Sequence, residues 1–147
     1  DFHWFSKIEL AENIFYTGAD TSEEIVQENT RKYAKTRTKF IKLDSTKDPL
    51  PESDMIFIRD CLVHLSFKDI AAVIKAVKGS NSRYLLTTHF LNRDYNHDIP
   101  TGSWRPLNLL KKPLNFPEPI ELVIEECTEG DGAYSDKSMA PWKISDL

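Results

Sequence analysis

The chain has little of what marks a disulfide scaffold, a metal centre or a membrane span. Its 147 residues hold two cysteines, Cys61 and Cys127, with no CxxC spacing. A disulfide framework is therefore excluded, and reduced thiols are expected. The four histidines, His3, His64, His89 and His97, form no HxxxH or HExxH pattern, so no metal site is expected. No apolar run approaches the roughly 20 residues that cross a bilayer, and no signal-peptide pattern is present. These absences predict a soluble, cytoplasmic protein without membrane contact. A surplus of positive charge is lacking too. The net charge of −4 and pI near 5.6 give no general field for a phosphate backbone, and no nucleic-acid partner is expected. Internal repeats and low-complexity tracts are absent.

The chain does carry a recurrence. Three apolar, strand-like stretches each run into an aspartate: Ile14 to Asp20, Phe40 to Asp44, and Met55 to Asp60. Acids at the carboxyl ends of successive strands stand where open α/β sheets bind ligands. After Asp20, Thr21-Ser22-Glu23-Glu24 has the capping-box pattern, in which a hydroxyl and a glutamate satisfy first-turn amides. After Asp60, Ser66 stands ready to cap the amphipathic run beyond it. With 40% hydrophobic residues, a chain of this length suits one domain with a sizeable core.

The remaining pattern fills in the units. A helix is predicted over Phe2–Leu10, with Trp4, Phe5 and Ile8 on one side, then a strand over Asn13–Ala19 and a helix from Thr21 to about Ala34. Strands come next over Lys39–Leu43 and Asp54–Arg59; the second of these is apolar on both faces, as at the centre of a parallel sheet. Phe67, Ile70, Ala71, Ile74 and Val77 form the clearest helical stripe, which Lys75, Lys78 and a left-handed Gly79 are expected to end. Arg83–Phe90 is a fourth strand. From Leu91 to Pro119 the pattern lapses into a long segment with five prolines, as functional loops do. Ile120–Thr128 and Asp136–Ile144 flank Gly130-Asp131-Gly132 and predict a hairpin. The expected class is α/β: a Rossmann-like, mostly parallel sheet with helices on both faces and a C-terminal antiparallel hairpin.

The order and spacing of FYTGAD, FIKLDSTKDPLP, MIFIRDCLVHL, YLLTTHF, TGSWRPLNL and CTEGDGAYSDKS resemble a class I S-adenosylmethionine-dependent methyltransferase over nearly the whole chain. The resemblance implies S-adenosylmethionine as cofactor, S-adenosylhomocysteine as product, and a small-molecule acceptor of unidentified chemistry. By position, Asp20 resembles the acid that binds the ribose hydroxyls, and Thr21 the residue beside the adenine. Asp44 and Ser45 resemble the pair that reads the adenine edge. Arg59 and Asp60 fall beside the methionine moiety and the transferred methyl. Trp104, Arg105 and Tyr134 are candidate acceptor contacts. The family's glycine-rich loop and the strand before it have no counterpart, and Asp1-Phe2-His3-Trp4 resembles the segment immediately after that loop. The expectation is a single methyltransferase-like domain over 1–147, incomplete at its N-terminus, with a further strand between those ending at Asp20 and Asp60.

Each assignment has a structural rival. Asp20 can simply cap its helix, Asp44 can be a turn residue, Asp60 can cap the next element, and His64 can be a satisfied histidine. Trp104 and Arg105 are either loop anchors or acceptor contacts. Because a sulfonium carries its own leaving group, the protein chiefly aligns the reactants, and a base is needed only when the acceptor must lose a proton. Asp60 and His64 are the catalytic candidates for that base. Two other classes fit parts of the pattern: a non-catalytic Rossmann-like binding module, and a nicotinamide-dependent oxidoreductase, which also places an acid after its second strand.

Overall fold

The computed structural model describes Phe2 and residues 5–147, which divide into two compact units, residues 1–44 and 45–147. His3 and Trp4 of the predicted N-terminal helix, and Asp1 before it, lie outside the described residues. Of that helix, a single 3-10 turn forms at Phe5–Lys7.

In the first unit, strand β1 (Tyr16–Asp20) leads to helix α1 (Glu23–Tyr33) and strand β2 (Thr38–Lys42). The strands pair in parallel, Tyr16 opposite Thr38 through Asp20 opposite Lys42. Ser22 is the N-cap of α1, its hydroxyl accepting from the Ile25 N–H at 3.4 Å. Val26 and Leu43 are the buried aliphatic residues here. Much of the remaining packing is aromatic: ring contacts link Phe2, Phe5, Tyr16 and Phe40, and Tyr33 touches Phe2. Gly18 makes room for this cluster, because a Cβ there would stand 2.6 Å from the Phe40 ring.

The second unit carries a four-stranded mixed sheet in the order β3-β4-β6-β5, where β3 is Met55–Ile58, β4 Tyr84–Phe90, β5 Val123–Ile124 and β6 Lys137–Lys143. β3 and β4 are parallel; β6 runs antiparallel to both β4 and β5. The predicted hairpin is therefore present, with a first strand of two residues. Helix α2 (Phe67–Gly79) starts at Ser66, whose hydroxyl accepts from the Asp69 N–H at 3.2 Å. It buries Ile70, Val73 and Val77 in a core shared with Leu62, Leu85, Phe90, Leu107 and Trp142. Two local expectations are corrected. Gly79 is the last helical residue, not a left-handed cap; the positive φ falls on Asn81. β3 is not buried on both faces either: Ile56 and Ile58 pack on the core, while Met55 and Phe57 on the opposite face are 48% and 37% exposed.

The strands ending at Asp20 and Asp60 belong to different sheets and do not pair. The architecture is that of the expected α/β, Rossmann-like class: parallel strand pairs with α-helical crossovers, then an antiparallel hairpin. Among the described residues no helix is long and apolar enough to cross a membrane.

Candidate functional site

The first unit presents a rim of carboxylates. Parallel pairing brings the ends of β1 and β2 to the same edge, and the Leu43 N–H donates to the Asp20 carbonyl at 2.9 Å. Asp20 and Asp44 thus share one end of the strand pair. Asp20 Oδ1 accepts the Ser22 N–H at 2.8 Å, which orients the half-buried carboxylate. Asp20 therefore has the capping-type contact that its rival reading called for, while Ser22 caps the helix proper. Thr21 beside it is exposed, and Asp44 and Ser45 open the turn after β2 half-buried.

The second unit contains a cavity of about 380 Å³. Of the residues singled out from sequence, Arg59, Asp60, His64, Trp104 and Tyr134 line it. Phe90, Cys127, Glu129 and Lys137 complete the wall; the last strands and the CTEGDGAYSDKS motif carry them, but nothing in the sequence singles them out as site residues. Chain order explains this. Lys137 lies 77 positions beyond Asp60, and only the antiparallel β4–β6 pairing carries it to the end of β3.

Asp60 sits two residues beyond the end of β3 with φ of +52°, a left-handed conformation that is costly for a residue with a Cβ. Neighbouring groups hold it there. Its N–H donates to Thr88 Oγ1 at 2.8 Å, and its Oδ2 accepts from Lys137 Nζ at 2.7 Å. Lys137 also faces Glu125 at 3.4 Å, Arg59 Nε donates to Glu125 Oε1 at 2.8 Å, and Arg59 lies 3.4 Å from Asp60. Two cations and two acids thereby close a ring in which each charge has two opposite neighbours. Burial works against the Lys137 charge, but the hydrogen bond from Lys137 to Asp60 and the charges of Asp60 and Glu125 outweigh it, so its pKa rises. For Arg59, burial again opposes the charge and Glu125 and Asp60 again prevail. Asp60 is an ion-pair partner in this arrangement, and acting as a base would disrupt the ring.

His64 is placed differently. Its Nδ1 lies 2.9 Å from the Ser103 carbonyl, and a carbonyl can only accept. Nδ1 therefore carries a proton, which in the neutral ring leaves the lone pair on Nε2. The ring is exposed at the cavity, so of the two base candidates His64 has the available acceptor atom.

The aromatic wall comprises Phe90, Trp104 and Tyr134, with centroids 5.0 to 6.2 Å apart and planes 73° to 83° from one another. Trp104 and Ser103 are carried by the long segment after β4, which side-chain amides order from within. Asn96 Nδ2 donates to the carbonyls of Asn108, Lys111 and Lys112, and Asn108 Nδ2 donates to those of Leu91 and Arg93.

Arg105 requires a correction. It is 1% exposed and does not line the cavity. Its guanidinium donates to the carbonyls of His97, Leu62, Val63 and Leu65 at 2.7 to 3.3 Å and stacks over Phe67. It anchors the loop that carries Trp104 rather than meeting an acceptor. Among the described residues, no group of three or more His, Cys, Asp or Glu is placed to hold a metal ion.

No protein-family model matches the chain, and no curated protein matches its sequence. Solved structures do match. The chain is similar to human N-acetylserotonin methyltransferase in complex with SAM, at 14% identity and a TM-score of 0.60, over 88% of this chain and 40% of that one. It is similar to magnesium protoporphyrin IX methyltransferase of Synechocystis with bound SAM, at 15% identity and a TM-score of 0.56, over 88% and 59%. The cyclase SpnF is comparable, at 14% identity and 0.59, over 88% and 66%. The chain spans less than two thirds of the length of the two methyltransferases, and the likeness at these identities is one of fold. It bears out the resemblance read from the sequence at that level: the chain has the fold of the S-adenosylmethionine-dependent methyltransferases.

Proposed function

We propose that the protein binds S-adenosylmethionine and transfers its methyl group to a small-molecule acceptor. The observation that carries this reading is the pair of acids, Asp20 and Asp44, at one end of a parallel strand pair, in a fold whose solved relatives include SAM-bound methyltransferases. The donor set fits the group. A carboxylate accepts ribose hydroxyls, and a second one strand over accepts an adenine amino group. On this reading Thr21 and Ser45, next in sequence to Asp20 and Asp44, lie beside the adenine. Bound S-adenosylmethionine supplies an electrophilic methyl with its leaving group attached. Trp104 and Tyr134 orient the acceptor, the aromatic wall limits water, and His64 Nε2 takes a proton where the acceptor has one to lose.

Calorimetry with S-adenosylhomocysteine, and in parallel NAD, on the folded protein tests the reading. Binding of S-adenosylhomocysteine alone is expected. Equal or stronger binding of NAD would move the protein to the oxidoreductase class, and no binding of either would leave a module without this cofactor. The cyclase among the structural relatives gives that test its weight, since one fold serves several chemistries.

A further inference from the structure

We propose that the cavity beside β3 takes a neutral, flat aromatic molecule bearing a hydroxyl, and that Trp104 and Tyr134 select it. As an acceptor assignment this rests on the methyl-transfer reading; as a ligand class it rests on the cavity alone.

The cavity's charges argue against an ionic ligand. Arg59 and Lys137 are each already shared between Asp60 and Glu125. An incoming carboxylate or phosphate would have to break that ring and lie beside Glu129, which also lines the cavity, so it gains no unpaired cation and meets like charge. A cationic ligand is drawn by Glu129 but finds two of the rings behind the cavity already engaged by a fixed cation. The Arg93 guanidinium lies 5.7 Å from the Phe90 centroid and 5.9 Å from that of Tyr134. It is fixed there by Asp136 Oδ1 at 2.7 Å and the Ala133 carbonyl at 2.8 Å. Two of the three rings already serve a cation, and a second would be repelled by it.

A flat neutral ring meets neither obstacle. Trp104, although packed edge-on against Phe90 and Tyr134, remains 41% exposed, leaving indole surface for an offset or edge-on aromatic partner. The volume of about 380 Å³ is at the small end of ligand pockets and suits one small ring system. The hydroxyl is called for by His64, whose Nδ1–H donates to the Ser103 carbonyl, so that in the neutral ring the Nε2 lone pair is a proton acceptor at the cavity outside the ion-pair ring. In the step this serves, the acceptor's hydroxyl proton passes to Nε2 and its oxygen bonds to the donor methyl. The electron pair of the broken carbon–sulfur bond stays on sulfur, which departs in S-adenosylhomocysteine, and the imidazolium returns its proton to water.

Calorimetry on the full chain without cofactor tests the ligand class with four matched probes: naphthol, naphthoate, naphthyltrimethylammonium and decahydronaphthol. Naphthol is expected to bind, with both charged probes at least about ten-fold weaker, the anion because it meets Glu129 and a closed ion-pair ring and the cation because it meets the fixed Arg93 charge behind the rings. Decahydronaphthol and the Trp104→Ala variant should each cost about three- to ten-fold, the range of an aromatic pair, while Trp104→Phe keeps most of the affinity. A charged probe binding as tightly as naphthol, full affinity in Trp104→Ala, or no naphthol binding would each overturn the proposal. Parallel titration with S-adenosylhomocysteine separates the two readings. Cofactor binding without naphthol binding defeats this inference alone. Naphthol binding without cofactor binding upholds the ligand class and defeats methyl transfer.

Discussion

The two units solve the problem of burial in opposite ways. Residues 45–147 close an aliphatic core around α2, in which Ile70, Val73, Val77, Leu85, Leu107 and Leu109 are fully buried. Residues 1–44 bury Val26 and Leu43 and otherwise rely on a partly exposed cluster of rings. A segment of that size has too little interior to be strongly stable by itself, and aromatic rings recover some of the deficit because each covers a large area. The chemistry divides along the same line. The first unit offers acids at strand ends, the second a walled cavity with an ordered histidine. Unit 1 should therefore govern cofactor affinity, and unit 2 should govern stability and turnover.

The sharpest way to break that division is His64→Gln. Turnover of a hydroxyl acceptor should fall about 10²- to 10⁴-fold, the contribution of a general base, with S-adenosylhomocysteine affinity by calorimetry unchanged. A loss of affinity instead would place His64 on the cofactor side of the comparison. Next in size is core truncation. Ile70→Ala should cost about 2 to 5 kcal/mol and Val26→Ala about 1.5 kcal/mol, two methylene equivalents, both by urea unfolding. Equal costs would mean the units share one cooperative core. Asp20→Ala should weaken S-adenosylhomocysteine binding by about 1.5 to 3 kcal/mol, as for a hydrogen bond to a charged group. An unchanged affinity reduces Asp20 to the partner of the Ser22 N–H.

A pH scan probes unit 2 separately. His89 is fully buried, its Nδ1 accepts the Leu109 N–H at 3.1 Å, and burial pushes its pKa down to about 4 despite the opposing charge of Asp136. The folded state thus resists a proton that the unfolded chain takes up near pH 6.5. This contribution is intact above that pH and is lost as pH falls toward 4, at up to about 1.4 kcal/mol per unit. His89→Asn should flatten the slope of unfolding free energy across that window; a slope unchanged from wild type would assign it to other groups. The smallest effect is at the caps. Ser66→Ala should cost about 1 kcal/mol and Ser22→Ala about 0.5 kcal/mol, since the Ser22 bond is the longer. The reverse order in thermal unfolding would make α1 the better-anchored helix.

Periodicity made α2 legible to the residue at its start, because Ser66 caps it and every turn contributes to one apolar stripe. Strands read as Lys39–Leu43 and Arg83–Phe90 came within a residue of their limits. Of the expected N-terminal helix, among the described residues only the turn at Phe5–Lys7 forms, and Ile8 on its apolar side lies 49% exposed, so that stripe finds too little to pack against to hold a helix. The loop after β4 was legible as a loop and not as a fold. Its order comes from Asn96, Arg105 and Asn108 bonding to carbonyls 8 to 43 residues away and from Leu107 and Leu109 entering the core, none of which keeps to a period.

By itself the sequence determined the alternation of strand, turn and helix, the acids at the strand ends and the terminal hairpin, because these depend on neighbours within a few residues. Tertiary structure decided which polar groups are already engaged. Only pairing of β4 with β6 brings Lys137 to Asp60, only the loop's path sets the His64 tautomer through Ser103, and only burial turns Arg105 from a cavity candidate into an anchor. Whether a charged or basic side chain can meet a ligand depends on the partner it already has, and those partners come from distant positions that no local pattern encodes.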